Sequence, residues 1–187
     1  QVSFQSGAQR VRRLTAIMVW GLLVLAGIFA VVRFSGLLSM MLPAGEPPQF
    51  VFDPNSELPD TPNYFLSCPD GLAPRGGRQM TSPQFEASVE KLARAFIATA
   101  PDHGMKLTDG SVGAHSLQFL ARSKVFQFPD WVELKLMSVP NQAGATFCLF
   151  AKSVYGRDDF QQNEKRTRAW LRDVRQALEP KDVSKGF

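Results

Sequence analysis

Histidine is scarce in this chain: among 187 residues only His103 and His115 occur. Cysteine is equally rare, with Cys68 and Cys148 far apart and neither a CxxC nor an HxxxH pair, so the spacing that holds a zinc ion is missing. A serine triad would need one of the two histidines beside Asp102 or Asp130, and no nucleophile elbow is present. Gly76-Gly77-Arg78 has neither the lysine nor the strand-loop-helix setting of a phosphate-binding loop. Acid is absent from residues 1–40, where Arg10, Arg12, Arg13 and Arg33 supply the whole net charge of +4. The rest of the chain is balanced and sets no basic patch apart, which argues against nucleic acid despite a pI near 9.3. These absences together lead to the expectation of no catalytic site, no metal and no cofactor. Asp158 and Asp159 read as charges at a helix start, since neighbouring carboxylates point in different directions.

Charge is also missing from Leu14–Val32, LTAIMVWGLLVLAGIFAVV, where 19 residues rising about 1.5 Å each match a bilayer's hydrocarbon core. The stretch is too long for a secretory leader and no cleavage signature follows it. Gly21, Ala26, Gly27 and Ala30 are small enough to admit a neighbouring helix, so a lone anchor and a packed helix both remain open. Three arginines precede the span and one follows it. That asymmetry predicts a cytoplasmic N-terminus and a periplasmic C-terminal domain at a bacterial inner membrane. FSGLLSMML, residues 34–42, continues the helix or rests in the headgroup layer.

Proline punctuates residues 43–80, with Pro43, Pro47, Pro48, Pro54, Pro59, Pro62, Pro69 and Pro74, so no regular element is expected there. Phe50, Val51 and Phe52 make this arm too apolar for a loose linker, and it is expected to lie on the domain or on a partner. Ser82 and Pro83 look like the cap and first residue of a helix carrying Phe85, Val89, Leu92 and Phe96 on one face, with Pro101 ending it. Three strands follow by period-two alternation. The first, GAHSLQFLARS, puts His115, Leu117, Phe119 and Ala121 inward. The second, WVELKLMSV, puts Val132, Leu134 and Leu136 inward. The third, GATFCLFAKS, puts Ala145, Phe147, Leu149 and Ala151 inward. PNQAG at 140–144 reads as the hairpin turn between the last two. A final helix shows Trp170, Leu171, Val174 and Leu178 on one stripe, with Trp170 expected to close the core over Phe147 or Leu149. The predicted fold is α+β: one N-terminal transmembrane helix plus a two-layer sandwich of an antiparallel sheet and two helices. Its predicted segments are a cytoplasmic tail at 1–13, the transmembrane helix at 14–34, the arm at 35–80, the domain at 81–180 and a tail at 181–187. The two cysteines are expected as buried or inert thiols rather than a disulfide.

Two polar clusters close the strands. Gly156 turns the chain out of the last one, and Asp158 or Asp159 can cap the helix that follows. Arg122, Ser123, Lys124, Lys152, Ser153 and Asp159 form a candidate rim that is either solvated surface or a site for an anion or partner. The spacing of Lys152-Ser153, Gly156, Asp159, Asn163, Arg166 and Trp170-Leu171, with Arg122-Ser123 followed by Phe128-Pro129-Asp130, resembles the DUF1499 family. These are small domains of uncharacterised function, and a membrane-anchored form is implied here. The likeness covers about residues 80–178. Lys152 stands where the family usually has arginine, Glu164 where it has a basic residue, and Cys68-Pro69 lacks the family's nearby second cysteine. What the family implies is architecture more than activity.

The reading of the whole is a non-catalytic single-span accessory or structural subunit of a membrane protein complex, respiratory or photosynthetic. Its partners are other membrane subunits and bilayer lipid, met through Gly21, Gly27, Phe50, Val51 and Phe52. Two alternatives stand beside it: a periplasmic domain that binds a small anion or lipid, and an uncharacterised membrane-bound enzyme.

Overall fold

The computed structural model describes residues 3–140 and 142–179; the tail expected at 181–187 lies outside them. The chain divides into two compact units, Gln1–Leu42 and Pro43–Phe187.

The first unit is α1 (Ser3–Phe34) followed by the short α2 (Leu37–Met41), with Gly36 left-handed at φ 79° between them. Within α1, Gln9–Phe34 is long and apolar enough to cross a membrane, its 26 residues extending about 39 Å. Every side chain from residue 9 to 31 is exposed. A Cβ built on Gly21 or Gly27 meets nothing within 4 Å.

The second unit is α+β. Its elements are β1 (Tyr64–Cys68), β2 (Gln79–Thr81), α3 (Val89–Thr99), a 3-10 turn (Ala100–His103), β3 (Met105–Ser111), β4 (Ser116–Arg122), β5 (Pro129–Ser138), β6 (Ala145–Ser153) and α4 (Gln162–Leu178). The strands form one sheet of six in the order β2-β1-β6-β5-β4-β3. All pairs are antiparallel except β1 with β2. The sheet is thus wider than the three strands expected, and mixed.

Both helices cover one face, as the alternation of β4, β5 and β6 implies. Leu117, Phe119, Val132, Leu134, Phe147 and Leu149 point into a core closed by Leu92 and Phe96 of α3 and by Trp170 and Val174 of α4. Trp170 closes this core from α4. Its ring stands edge-on to Phe96 at 4.8 Å and to Phe119 at 5.2 Å, and its indole N–H donates to the Thr99 hydroxyl at 2.9 Å. That hydroxyl at the end of α3 satisfies the one polar group the ring brings into the core.

The opposite face is half covered by the arm. Tyr64, Leu66, Cys68, Cys148 and Phe150 form a second core under Phe50, Phe52 and Leu58. Phe50 stacks on Phe150 at 4.1 Å, nearly parallel, and Phe52 meets Phe50 edge-on. The arm is therefore part of this unit, and it contains two strands despite its prolines.

Three further expectations are corrected. Helix α3 begins at Val89 with Ser88 as its cap, accepting from the Lys91 amide, and not at Ser82 and Pro83. Phe85 instead exchanges both backbone hydrogen bonds with Ala145, which keeps residues around it extended. Gly144 permits this approach, since a Cβ there would lie 2.9 Å from the Phe85 carbonyl oxygen. His115 is not in the core: it sits left-handed in the turn before β4, its ring nearly half exposed and 3.3 Å from Glu90. Finally, Cys68 and Cys148 form a disulfide between the neighbouring strands β1 and β6.

Candidate functional site

Gly156, left-handed at φ 85°, turns the chain out of β6 toward α4, as its position predicts. Asp159 then reaches forward. Its carboxylate accepts from the Gln161 amide at 3.0 Å and the Asn163 amide at 2.9 Å, supplying acceptors for the free amides of the first turn. Asp158 accepts from the Phe160 amide at 2.7 Å. That bond, ahead of the nearby Arg78 guanidinium, holds the Asp158 carboxyl below its usual range. Arg78, next to β2, also donates to buried Asp159 at 2.7 Å.

Behind this turn lies a second, deeper group. Asp130 of β5 accepts from Arg166 of α4 and from the Ser153 hydroxyl of β6, each at 2.5 Å. Asn163 joins the two partners, donating to Ser153 Oγ at 3.1 Å and accepting from Arg166 at 2.9 Å. From the arm, Asn63 donates to the carbonyls of Ser153 at 3.1 Å and Gly156 at 2.8 Å. The arm, β5, the end of β6 and the start of α4 are thereby tied at one end of the sheet. Among the described residues no buried side-chain nitrogen or oxygen lacks a partner. A network whose members satisfy one another fixes geometry.

The expected rim does not come together on one face. Ser153 and Asp159 belong to this buried network. Lys152, one residue on from Ala151, projects to the opposite face of the sheet, beside Tyr64 and Trp131 in register. Arg122 is on that same opposite face at the end of β4, two strands away, and donates to the Gln127 carbonyl at 2.8 Å. Ser123 accepts from the Phe128 amide, and Lys124 is exposed on the loop beyond. Of the residues expected to meet a partner, Phe50 and Phe52 pack within the unit, whereas Val51, Gly21 and Gly27 are open. Asn63 and Arg78 escaped sequence reasoning, because each sits in a proline-rich stretch with no local pattern.

A groove of about 380 Å³ runs between residues 50–52 and the uncovered half of the sheet, where Asp109, Gln118, Glu133 and Lys135 line it. Glu133 accepts from the Phe50 amide at 3.2 Å. Burial pushes its carboxyl above the usual value, and that single bond offsets the effect only in part. Tyr64, beneath the arm, is raised by burial as well. Among the described residues no cluster of three His, Cys, Asp or Glu is placed to hold a metal.

No curated protein sequence matches the chain. A family model described as Protein of unknown function (DUF1499) matches residues 56–174, a stretch that begins before β1 and takes in the network from Asn63 to Arg166. On that match the chain belongs to the DUF1499 family.

Proposed function

We propose that this chain is a non-catalytic, single-span accessory subunit of a membrane protein complex, in the inner membrane, with its second unit in the periplasm. One observation carries the reading: Asp130, Ser153, Asn163 and Arg166 of the family motif are occupied with one another, while α1 exposes its side chains from residue 9 to 31. Gly21 and Gly27 leave shallow places on that surface for other spans to approach. The Cys68–Cys148 disulfide supports an oxidising compartment for the second unit. The arginines before the span support the same orientation. An energy-converting membrane, respiratory or photosynthetic, is the proposed host, with membrane subunits and lipid as partners.

The test is co-purification in mild detergent. The full chain is compared with one whose Gly21 and Gly27 are both replaced by leucine, at about 0.5 M salt, where exposed ionic contacts are screened. Stoichiometric subunits should accompany the native chain and diminish with the variant. Recovery of the native chain alone would overturn the proposal.

The groove beneath Val51 favours a second reading, binding of a small polar molecule, because its volume falls within the usual range of about 300–1,000 Å³. Val51→Trp, which narrows the groove, should leave subunit recovery unchanged. A variant that loses its subunits would assign Val51 to the partner contact and overturn this second reading.

A further inference from the structure

The loops beyond one end of the sheet carry exposed apolar side chains that neither core uses. Val125, Phe126 and Phe128 stand on the β4–β5 loop, Val154 and Tyr155 on the β6–α4 loop, each between 37% and 54% exposed. The loops lie side by side: the Val154 amide donates to the Pro129 carbonyl at 3.1 Å. Ring centroids run from Phe126 to Phe128 at 6.0 Å and from Phe128 to Tyr155 at 6.3 Å. These side chains form one ridge.

The ridge is built, not frayed. Ser123 Oγ accepts from the Phe128 amide at 3.0 Å, Gln127 donates to the Ser123 carbonyl at 2.8 Å, and the Arg122 guanidinium grips the Gln127 carbonyl. Gln127 adopts a left-handed φ of 59° to close this loop. A loop stiffened around outward-facing phenylalanines marks an interaction surface.

Chain path and charge identify what covers it. The Tyr155 hydroxyl donates to the Pro43 carbonyl at 2.9 Å, and the Trp131 indole to the Ala44 carbonyl at 3.0 Å. The polypeptide therefore enters this unit at the ridge. Only residues 35–42 separate Pro43 from the end of α1, and five of them are helical in α2. A link this short is the reason a lipid surface, and not a distant partner, is the proposed occupant of the ridge. Arg157 is exposed beside Tyr155 and Lys124 beside Val125, and of the nearby acids Asp130 and Asp159 are buried, Asp158 meets Arg78 and Glu46 is exposed. Aromatic rings with cations beside them suit the headgroup layer of an anionic leaflet.

We propose that the Val125–Phe128 and Val154–Tyr155 ridge docks on the anionic lipid surface of the leaflet that α1 enters, seating its rings among the headgroups. The proposal rests on α1 spanning the bilayer and not on any partner subunit.

The experiment uses the full chain in vesicles of phosphatidylcholine with or without phosphatidylglycerol. An environment-sensitive dye is placed at Phe126→Cys, or at Gly113→Cys at the far end of β4, where a side chain meets nothing within 4 Å. Lipids spin-labelled at the headgroup quench whichever dye they touch. A difference against Trp20→Phe, with acyl-chain quenchers, reports on the span itself. The dye at 126 should be quenched far more than the dye at 113, and more strongly with phosphatidylglycerol. Arg157→Glu should weaken the anionic preference by about fivefold or more. If Trp20 is quenched but position 126 is not, the ridge does not dock while the span stands. Equal quenching at 126 and 113 would also overturn it, as would a dye shielded in native membranes yet unquenched in vesicles, which would assign the ridge to a protein. An unquenched Trp20 removes the span and the docking together.

Discussion

Asp130 and Glu133 sit three residues apart on one strand and differ in everything that decides the cost of a buried carboxylate. Asp130 faces Arg166 and the Ser153 hydroxyl, so its charge is matched and hydrogen-bonded. Asp130→Asn would leave the guanidinium of Arg166 without its counter-charge in a nearly closed site, an imbalance worth about 3–5 kcal/mol. Urea denaturation should show that loss, while Asp130→Leu combined with Arg166→Met should recover much of it; equal losses in both would show that the pair is not the source. Among the described residues Glu133 has no ion pair, and it accepts from the Phe50 amide. Burial raises its folded value above the usual 4.5, so the folded unit holds this proton more tightly than the unfolded chain. Stability present below the unfolded value is lost as pH rises through the folded one. Glu133→Gln keeps an acceptor for Phe50 and removes that loss. Its melting temperature should therefore exceed the parent's at neutral pH, and the advantage should shrink near pH 4. A constant difference across that range would show that Glu133 does not titrate on folding.

At the scale of elements, what could be read in advance is what meets one apolar and one polar layer. The inward residues of β4 and β5 alternate because helices cover one side and the other side is partly wet. Helix α4 shows its stripe because one side of it faces the sheet, whereas β6 is buried on both faces and only Thr146 and Lys152 mark its period. Strand β1 is buried on both faces, so YFLSC carries no period of two, and proline-rich flanks disguise it further. A register shift between Leu107 and Asp109 breaks the pattern of β3. The Ser82-Pro83 pair imitates a helix start, but pairing of Phe85 with Ala145 wins over that local preference. In the polar network, the spacing of Asp159, Asn163 and Arg166 was legible through the resemblance to the family's closing motif. Asn63 and Arg78 were not, since only the folded sheet carries them to partners about 80–90 residues away. The disulfide escaped for a like reason, its two strands being neighbours in space with a sequence separation of 80. Closing so long a loop constrains the unfolded chain, and the entropic estimate is about 4 kcal/mol. Cys68→Ser with Cys148→Ser should lower the denaturation midpoint accordingly, and reductant should then have no additional effect on the variant. A double variant as stable as the parent would show that arm and sheet hold together without the bond.

For the whole molecule, the proposed orientation rests on three arginines before the apolar segment and one after it. Protease added to intact spheroplasts should remove epitopes placed beyond residue 43, while an N-terminal epitope stays protected until the membrane is broken. Protection of the second unit would reverse the orientation. For an exported chain, the bond between Cys68 and Cys148 also sets an order of events during biogenesis. Cys68 emerges first and finds no other cysteine to mispair with until Cys148 arrives. Until then β1 lacks β6, the strand that joins it to the rest of the sheet. In such a chain β1 and β2 stay unpaired with the rest of the sheet until β6 has crossed. Joining of the sheet and oxidation of Cys68 would then wait on the same late-arriving strand.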